Sequence, residues 1–394
     1  MRLVVVYGLK TGDYEWLRSF YPAHRIVEAC ARQRVHVLFV LPCDVDRLVS
    51  GGFSAAGGFS PAGGFSPADD FFPAGGFSPA DAVCLVRGNV DPGSIQRLEE
   101  AGFRCVNGSK AVALALDKLE CARFLDKLGI QAPRTFAPVV GASGLAGAMC
   151  AAGESPLGIG ASGLVGAMCT AGEPPLGVGV AGRAGAMCTA GEPPLGVGAG
   201  GLAGAMCAAG EPPLGVGASG LAGAMCTAGE PPLGYPFVAK PRFGSRGRGV
   251  ALVKGPADLE ALAPLLRSEP YIFQEFVAES AGRDLRFFFA GGEIVACVER
   301  RGKDDSFVSN ASEGGLVRIP ENCEALVERL SSEVLRIARE AGLWYGTVDF
   351  LFGTEEFPVC EINACPGFEA LEKATGLDIA GMLVERLMRD FGGA

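Results

Sequence analysis

The stretch that most constrains this chain lies near its end, where GTVDFLF (346 to 352) is followed by PVCEINACPGFEALE (358 to 372). Both segments open as strands rich in Val, Phe and Ile, and the polar turn Gly353, Thr354, Glu355, Glu356 separates them. Side chains two apart on a strand share a face, so Glu361 and Asn363 point the same way. Folding the hairpin about its turn brings Asp349 alongside them. Three oxygen donors then converge, a set that suits hard Mg²⁺, which binds through one or two carboxylates plus a substrate's phosphates. The alternative is a hairpin whose charges sit on its wet face.

A second segment, YPFVAKPRFGSRGRGV (235 to 250), sets Lys240 at the end of a short apolar strand, with Gly244, Ser245, Gly247 and Gly249 close behind. A loop this rich in glycine can wrap backbone N–H groups around an anion, and lysine supplies a point charge to phosphate. Glycine also makes ordinary turns, and taken alone the segment is equally a plain hairpin.

Two tandem repeats interrupt the chain. A hexad of GGFSPA type fills 51–80, and a nineteen-residue unit close to GASGLAGAMCTAGEPPLGV recurs in five copies over 141–234. Each nineteen-residue unit carries several glycines and one short apolar stretch, LAGAMC, long enough for a helical turn or two. Glycine costs about 1 kcal/mol per helical site, so such helices are marginal, and the expectation is an insertion that is mostly disordered or loosely structured. With four copies removed the chain reads strand, short helix, turn, strand, so one unit is read as the native element and the rest as expansions. A surface loop tolerates these because closure entropy grows only logarithmically with length.

Composition excludes several classes. With 394 residues and 49% apolar content the chain has ample core for two or three domains. A net charge of −10 without a basic stripe argues against nucleic acid as a partner. The apolar run in MRLVVVYGLKTGDYEW is too short for a signal peptide or a membrane span, so a cytoplasmic location and no membrane association are expected. Of the 14 cysteines, five are copies within the repeat and none forms a CxxC pair, so neither zinc nor a disulfide framework is indicated. Only His24 and His36 occur, which makes histidine catalysis improbable.

The order of parts carries further information: DKLECARFLDKLGI (117 to 130), the Lys240 loop, YIFQEFVAESAGRDLRFFFAGG (271 to 292), FVSNASEGG (307 to 315) and the acidic hairpin. This series resembles the ATP-grasp superfamily, and most closely its RimK-type amino-acid ligases. The resemblance covers roughly 110–140 and 235–390, with a looser match before that.

It implies α/β and α+β architecture: a parallel-sheet domain over 1–110, of the kind that precedes ATP-grasp domains, then a two-lobed ATP-grasp domain over 111–394. The strand–helix order of 1–110, with helices near 22–33 and 92–102, agrees with a small parallel sheet. Two helices, 322–342 and 378–391, are expected in the last part.

The resemblance also implies roles. Lys118 and Lys240 match the family's two phosphate lysines, with the 244–249 loop around the β and γ phosphates. Gln274, Glu275 and Phe276 match the hinge that receives adenine, Glu275 accepting from the exocyclic amine. Asp284 matches a nucleotide contact, and Arg286, Arg301 and Asn310 the catalytic groups around the phosphates and the acyl intermediate. Asp349, Glu361 and Asn363 match the metal ligands, with ATP and two Mg²⁺, or Mn²⁺ as a substitute. The implied reaction joins a carboxylate and an amine through an acyl phosphate, adding an amino acid such as glutamate to a peptide, protein or small-molecule acceptor. Relatives are often homo-oligomers.

Phe307, Val308, Ser309, Asn310 depart from the usual Phe-Arg-Ser-Asn, and Arg300 and Arg301 are the nearest replacements for the lost guanidinium. Two other readings stand beside the ligase: a catalytically weakened ATP-binding regulator or scaffold, which Val308 favours, and a repeat-borne interaction module on a passive core.

Overall fold

The computed structural model describes residues 2–8, 16–17, 20–51, 79–138, 149–151, 164–171, 186–189, 202–207, 222–226, 233–244, 247–303, 306–309 and 315–392. These form two compact units: Met1–Cys121 with Ile130–Ala132 and Val277–Ala394, and Ala122–Gly129 with Pro133–Phe276.

The first unit opens on a parallel sheet of β1 (Arg2–Gly8), β2 (His36–Val40), β3 (Ala82–Gly88) and β4 (Arg104–Val106), in the order β2-β1-β3-β4. The near-continuous apolar runs LVVVY and AVCLV are what parallel strands covered on both faces require. Helix Tyr21–Arg32 buries Ile26, Val27, Ala29 and Cys30. Helix Pro92–Glu100 is capped by Asp91, which accepts from Ser94 N at 2.9 Å and Ser94 Oγ at 2.5 Å. Partial burial pushes the Asp91 carboxyl up, but the bonds from Ser94 outweigh it and hold it below its ordinary value. Its contribution is therefore complete above the ordinary carboxylate range near pH ~4 and is lost as pH falls through the lowered native value. Asp91→Ala is expected to lower stability by about 1 kcal/mol at pH 7, with the difference shrinking in urea titrations at pH 3.

The second unit holds β5 (Thr135–Pro138), the repeat strands β6 (Met149–Ala151), β7 (Leu164–Ala171), β8 (Ala186–Thr189), β9 (Leu202–Cys207) and β10 (Ala222–Cys226), then β11 (Phe237–Pro241), β12 (Ala251–Val253) and β13 (Tyr271–Glu275). The LAGAMC copies are thus strands, not helical turns. β7 to β10 run parallel in the order β10-β9-β7-β8, with equivalent residues abreast, as in Ala222 beside Ala203 and Ala167 beside Ala186. A single glycine-containing helical turn gains almost nothing alone, whereas identical segments stacked in register give one another backbone partners. The first copy, β6, pairs with β5 at the edge of the sheet β12-β11-β13-β5-β6. Helix Pro256–Ser268, not foreseen from the sequence, buries Leu262 and Leu266 in a cluster with Phe237, Ala239, Tyr271 and Phe273.

The last part of the first unit is the antiparallel sheet of β14 (Arg283–Ala290), β15 (Glu293–Arg301), β16 (Leu316–Arg318), β17 (Tyr345–Phe350) and β18 (Val359–Asn363), in the order β16-β15-β14-β17-β18. Helix Cys323–Glu340 packs on one face through Leu326, Leu330, Val334 and Ile337. On the other face Phe288, Ala290, Ala296, Val298 and Tyr345 join Leu3, Val5 and Leu85 of the parallel sheet in one core. Asn107, just after β4, ties the two sheets together: Nδ2 donates to Tyr345 O (2.8 Å) and Ala364 O (2.7 Å), and Oδ1 accepts from Trp344 N (2.8 Å) and Tyr345 N (3.3 Å). Helix Ile379–Phe391 lies where expected, and Glu369–Thr375 is an additional short helix. Among the described residues no helix is long and apolar enough to cross a membrane.

Candidate functional site

In the antiparallel sheet the face that is apolar at Phe288 and Tyr345 turns charged toward its other end. Alternation along β14 puts Asp284 and Arg286 on that face, and the register sets Asp284 opposite Arg300 and Arg286 opposite Asp349. Asp349 is in turn opposite Glu361, and Thr347 opposite Asn363. A bulge between Asp349 and Phe350 sets this register, and Asp349, Glu361 and Asn363 adjoin.

The charges are paired closely. Arg286 grips Asp349 with two bonds, Nε to Oδ1 at 2.8 Å and Nη2 to Oδ2 at 2.5 Å. Arg300 grips Asp284 likewise at 2.7 and 2.6 Å, and its Nη2 also reaches Asp349 Oδ2 at 2.8 Å. Ser309 Oγ donates to Asp284, and Asn363 Nδ2 lies 3.4 Å from Asp349 Oδ2. Two carboxylates and two guanidiniums therefore share a site in which Asp284 and Asp349 are almost fully buried. Burial would raise the Asp349 carboxyl, but the Arg286 and Arg300 charges overcome it and hold it below the usual carboxylate range. Burial works against the Arg300 cation, but Asp349 and Asp284 together hold it more firmly protonated than an ordinary arginine.

Glu361 is half-buried, and its carboxylate takes no side-chain hydrogen bond among the described residues. Its oxygens, the remaining lone pair on Asp349 Oδ1 and the carbonyl of the Asn363 amide make a hard-oxygen set that fits Mg²⁺. Arg300 enters this site in place of Arg301. Successive residues of β15 face opposite ways, so Arg301 lies on the other face, where Arg301 Nε (2.8 Å) and Arg318 Nη2 (2.7 Å) both bind the buried Glu299. The expectation that Arg301 faces the site is corrected accordingly. Arg286 does lie in the site, held by Asp349. Asn310 and Ser245 fall outside the described residues.

In the second unit, register places Val238 opposite Gln274, so Lys240 and Gln274 share the sheet face turned away from the Phe237–Phe273 core. Lys240 is buried, and Gln274 Nε2 donates to Thr135 Oγ1 at 3.1 Å. Glu275 lies on the opposite face, and its Oε2 accepts from Arg134 N and Nε, both at 3.2 Å. Its carboxylate is thus already engaged, and Phe276 follows at the strand end. The glycine loop takes conformations that side chains resist: φ is 123° at Gly244, 66° at Gly247 and 73° at Gly249. A Cβ at Gly249 would meet Pro241 Cγ and the Tyr271 hydroxyl, each at 2.9 Å. In the first unit Lys118 begins the helix Lys118–Lys127, which Asp117 caps by accepting from Leu119 N (3.1 Å) and Glu120 N (3.2 Å).

Residues 226–387 match the RimK-like ATP-grasp domain. A probable alpha-L-glutamate ligase of Enterobacter sp. (strain 638) is 36% identical over 156 residues, 39% of this chain and 51% of that protein. The ribosomal protein bS6–L-glutamate ligase of Escherichia fergusonii is also 36% identical over 156 residues, with the same coverage. The chain spans about half the length of these curated relatives. Among solved structures, an ATP-grasp RimK domain protein from Sphaerobacter thermophilus superposes with a TM-score of 0.52 at 15% identity, covering 98% of this chain and 99% of that one. The match to the RimK-like ATP-grasp domain spans residues 226–387, and the chain's mixed α/β architecture is that of the ATP-grasp fold.

Proposed function

We propose that this chain is an ATP- and Mg²⁺-dependent carboxylate–amine ligase that forms an amide through an acyl phosphate. The observation that carries the reading is the register of β17 against β18, which sets Asp349 beside Glu361 and Thr347 beside Asn363 within the matched domain. Residues 1–110 serve as the leading α/β domain and 111–394 as the ATP-grasp domain, with 51–80 and 141–234 as insertions.

Phosphoryl transfer asks little covalent help from protein, so positioning and charge neutralisation dominate. Lys118, Lys240 and the 244–249 loop hold the phosphates, and Gln274 to Phe276 receive the base. A divalent cation held by Asp349, Glu361 and Asn363 supplies neutralisation of phosphate charge when bound. Arg286 and Arg300, fixed by Asp349 and Asp284, place guanidinium donors where negative charge develops. Glutamate is the favoured amino acid, because the similar proteins named above are glutamate ligases, and a peptide or protein end is the favoured acceptor.

The test is Mg²⁺-dependent ADP release by the purified chain against a panel of twenty amino acids, glutamate-terminated peptides and cell extract. Release that needs one amino acid and one acceptor is the expected result, with Glu361→Ala lowering it at least ~100-fold. ATP binding without turnover on any addition would leave a nucleotide-binding scaffold instead.

A further inference from the structure

Arg87, the next-to-last residue of β3, is 1% exposed and among the largest fully buried side chains of the described residues. Its guanidinium carbon lies 4.8 Å from the Phe368 ring centre and 5.6 Å from that of Tyr345. Nε and Nη1 have no hydrogen-bond partner among the described residues. The ionisable groups that act most on its charge are the Tyr345 and Tyr7 phenols and the Cys365 thiol, not a carboxylate. The Tyr345 hydroxyl is hydrogen-bonded to Arg87 while it donates to Val86 O, and the Cys365 thiol also bonds to Val86 O, at 3.3 Å. Aromatic faces offset part of the cost of burying a cation, but they do not satisfy its N–H groups. On the antiparallel sheet that packs against β3, the nearly buried guanidiniums of Arg286 and Arg300 each have a carboxylate. Arg87 is a buried cation with two unpartnered nitrogens and no carboxylate acting on it among the described residues.

Its place on the fold bears on what could pair with it. Tyr345, Thr347 and Asp349 occupy one face of β17, so the ring against which Arg87 packs stands about 13 Å along the strand from the acidic site. Cys365, at the same guanidinium, follows Asn363 by two residues on the chain leaving β18. Phe368 and Cys365 lie in the irregular stretch between β18 and helix Glu369–Thr375, so the cover over Arg87 is chain without ladder bonds. The charged cluster and the ring that Arg87 covers from β3 thus lie at the two ends of one face of β17.

We propose that Arg87 binds a carboxylate of the amino-acid or peptide substrate other than the one activated, and so selects for substrates with a second acid group. The inference rests on the ligase reading. Nucleotide phosphates are provided for by the lysines and the glycine loop, which leaves a carboxylate as the anion for a guanidinium set apart from them.

The experiment compares wild type with Arg87→Met, which keeps volume and removes charge, and with Arg87→Lys. KM for the amino acid and for ATP is read from ADP release, and thermal stabilisation by L-glutamate, glutarate and inorganic phosphate is read without nucleotide. Arg87→Met is expected to unfold at the wild-type temperature or above, since a buried unpaired cation has been removed. It should raise the amino-acid KM about 10- to 100-fold, leave KM for ATP unchanged, and lose stabilisation by the two acids; Arg87→Lys should fall between. An unchanged amino-acid KM in either variant, or equal stabilisation of wild type by phosphate, overturns the proposal. If wild type releases no ADP with any acid, the ligase reading fails by itself, and the stabilisation series still decides whether Arg87 is a carboxylate site.

Discussion

Asp349→Ala is expected to lower the unfolding free energy by about 3–5 kcal/mol and to abolish Mg²⁺-dependent ADP release. The first effect follows from charge balance. Asp284 and Asp349 face Arg286 and Arg300 in a buried group whose formal charges cancel, and Asp349 receives bonds from both arginines. Removing it leaves one buried guanidinium without a counter-ion and the other sharing only Asp284, which is the costly way to break a buried pair. Asp349→Asn separates charge from volume: it keeps the packing, and should keep most of the loss. Arg286→Met added to Asp349→Ala removes the orphaned cation and should recover part of the stability without recovering activity. Urea unfolding of the three variants checks this. A single-variant loss within 1 kcal/mol would mean that water reaches the cluster and screens it, against the burial of Asp349.

The local part of this site was legible because strand parity is a local property. Alternation within GTVDFLF and PVCEINAC, joined by one polar turn, was enough to bring Asp349 and Glu361 near one another, but a bulge between Asp349 and Phe350 supplies the one-residue shift that sets them directly opposite. At Arg300 and Arg301 parity alone gives the wrong residue. Counted straight from the turn at Gly291 and Gly292, Asp284 would fall opposite Glu299 and Arg301 would share its face; the bulge between Phe288 and Phe289 shifts the register by one and puts Arg300 there instead. Parity does separate Glu275 from Lys240 and Gln274. The LAGAMC stretch, read as long enough for a helical turn, is a strand for a different reason. LAGAMC has no strong preference as a single segment, and its pairing in register comes from its copies. Arg87 and Asn107 were beyond reach of pattern, since each meets partners more than 230 residues away, and nothing in LVRGN or RCVNG marks a buried polar contact.

Asn107→Ala gives the second large effect. The side chain is 1% exposed and serves four backbone groups, two carbonyls and two N–H groups, so its amide is used on both ends. Truncation leaves those groups buried without partners, each costing about 1–3 kcal/mol less whatever water regains. A loss of about 3–5 kcal/mol is expected, near the upper range of single substitutions. Asn107→Asp is a sharper version: the carboxylate can still accept from Trp344 and Tyr345, but it turns repulsive oxygen on the carbonyls of Tyr345 and Ala364. Those carbonyls lie at the start of β17 and just after β18, the two strands that carry Asp349, Glu361 and Asn363. Asn107 variants should therefore lose more activity at 25 °C than the unfolded fraction explains, with KM for Mg²⁺ rising before the global transition. Activity that tracks the folded fraction alone would show that the amide holds the two sheets together without setting the geometry of the acidic hairpin.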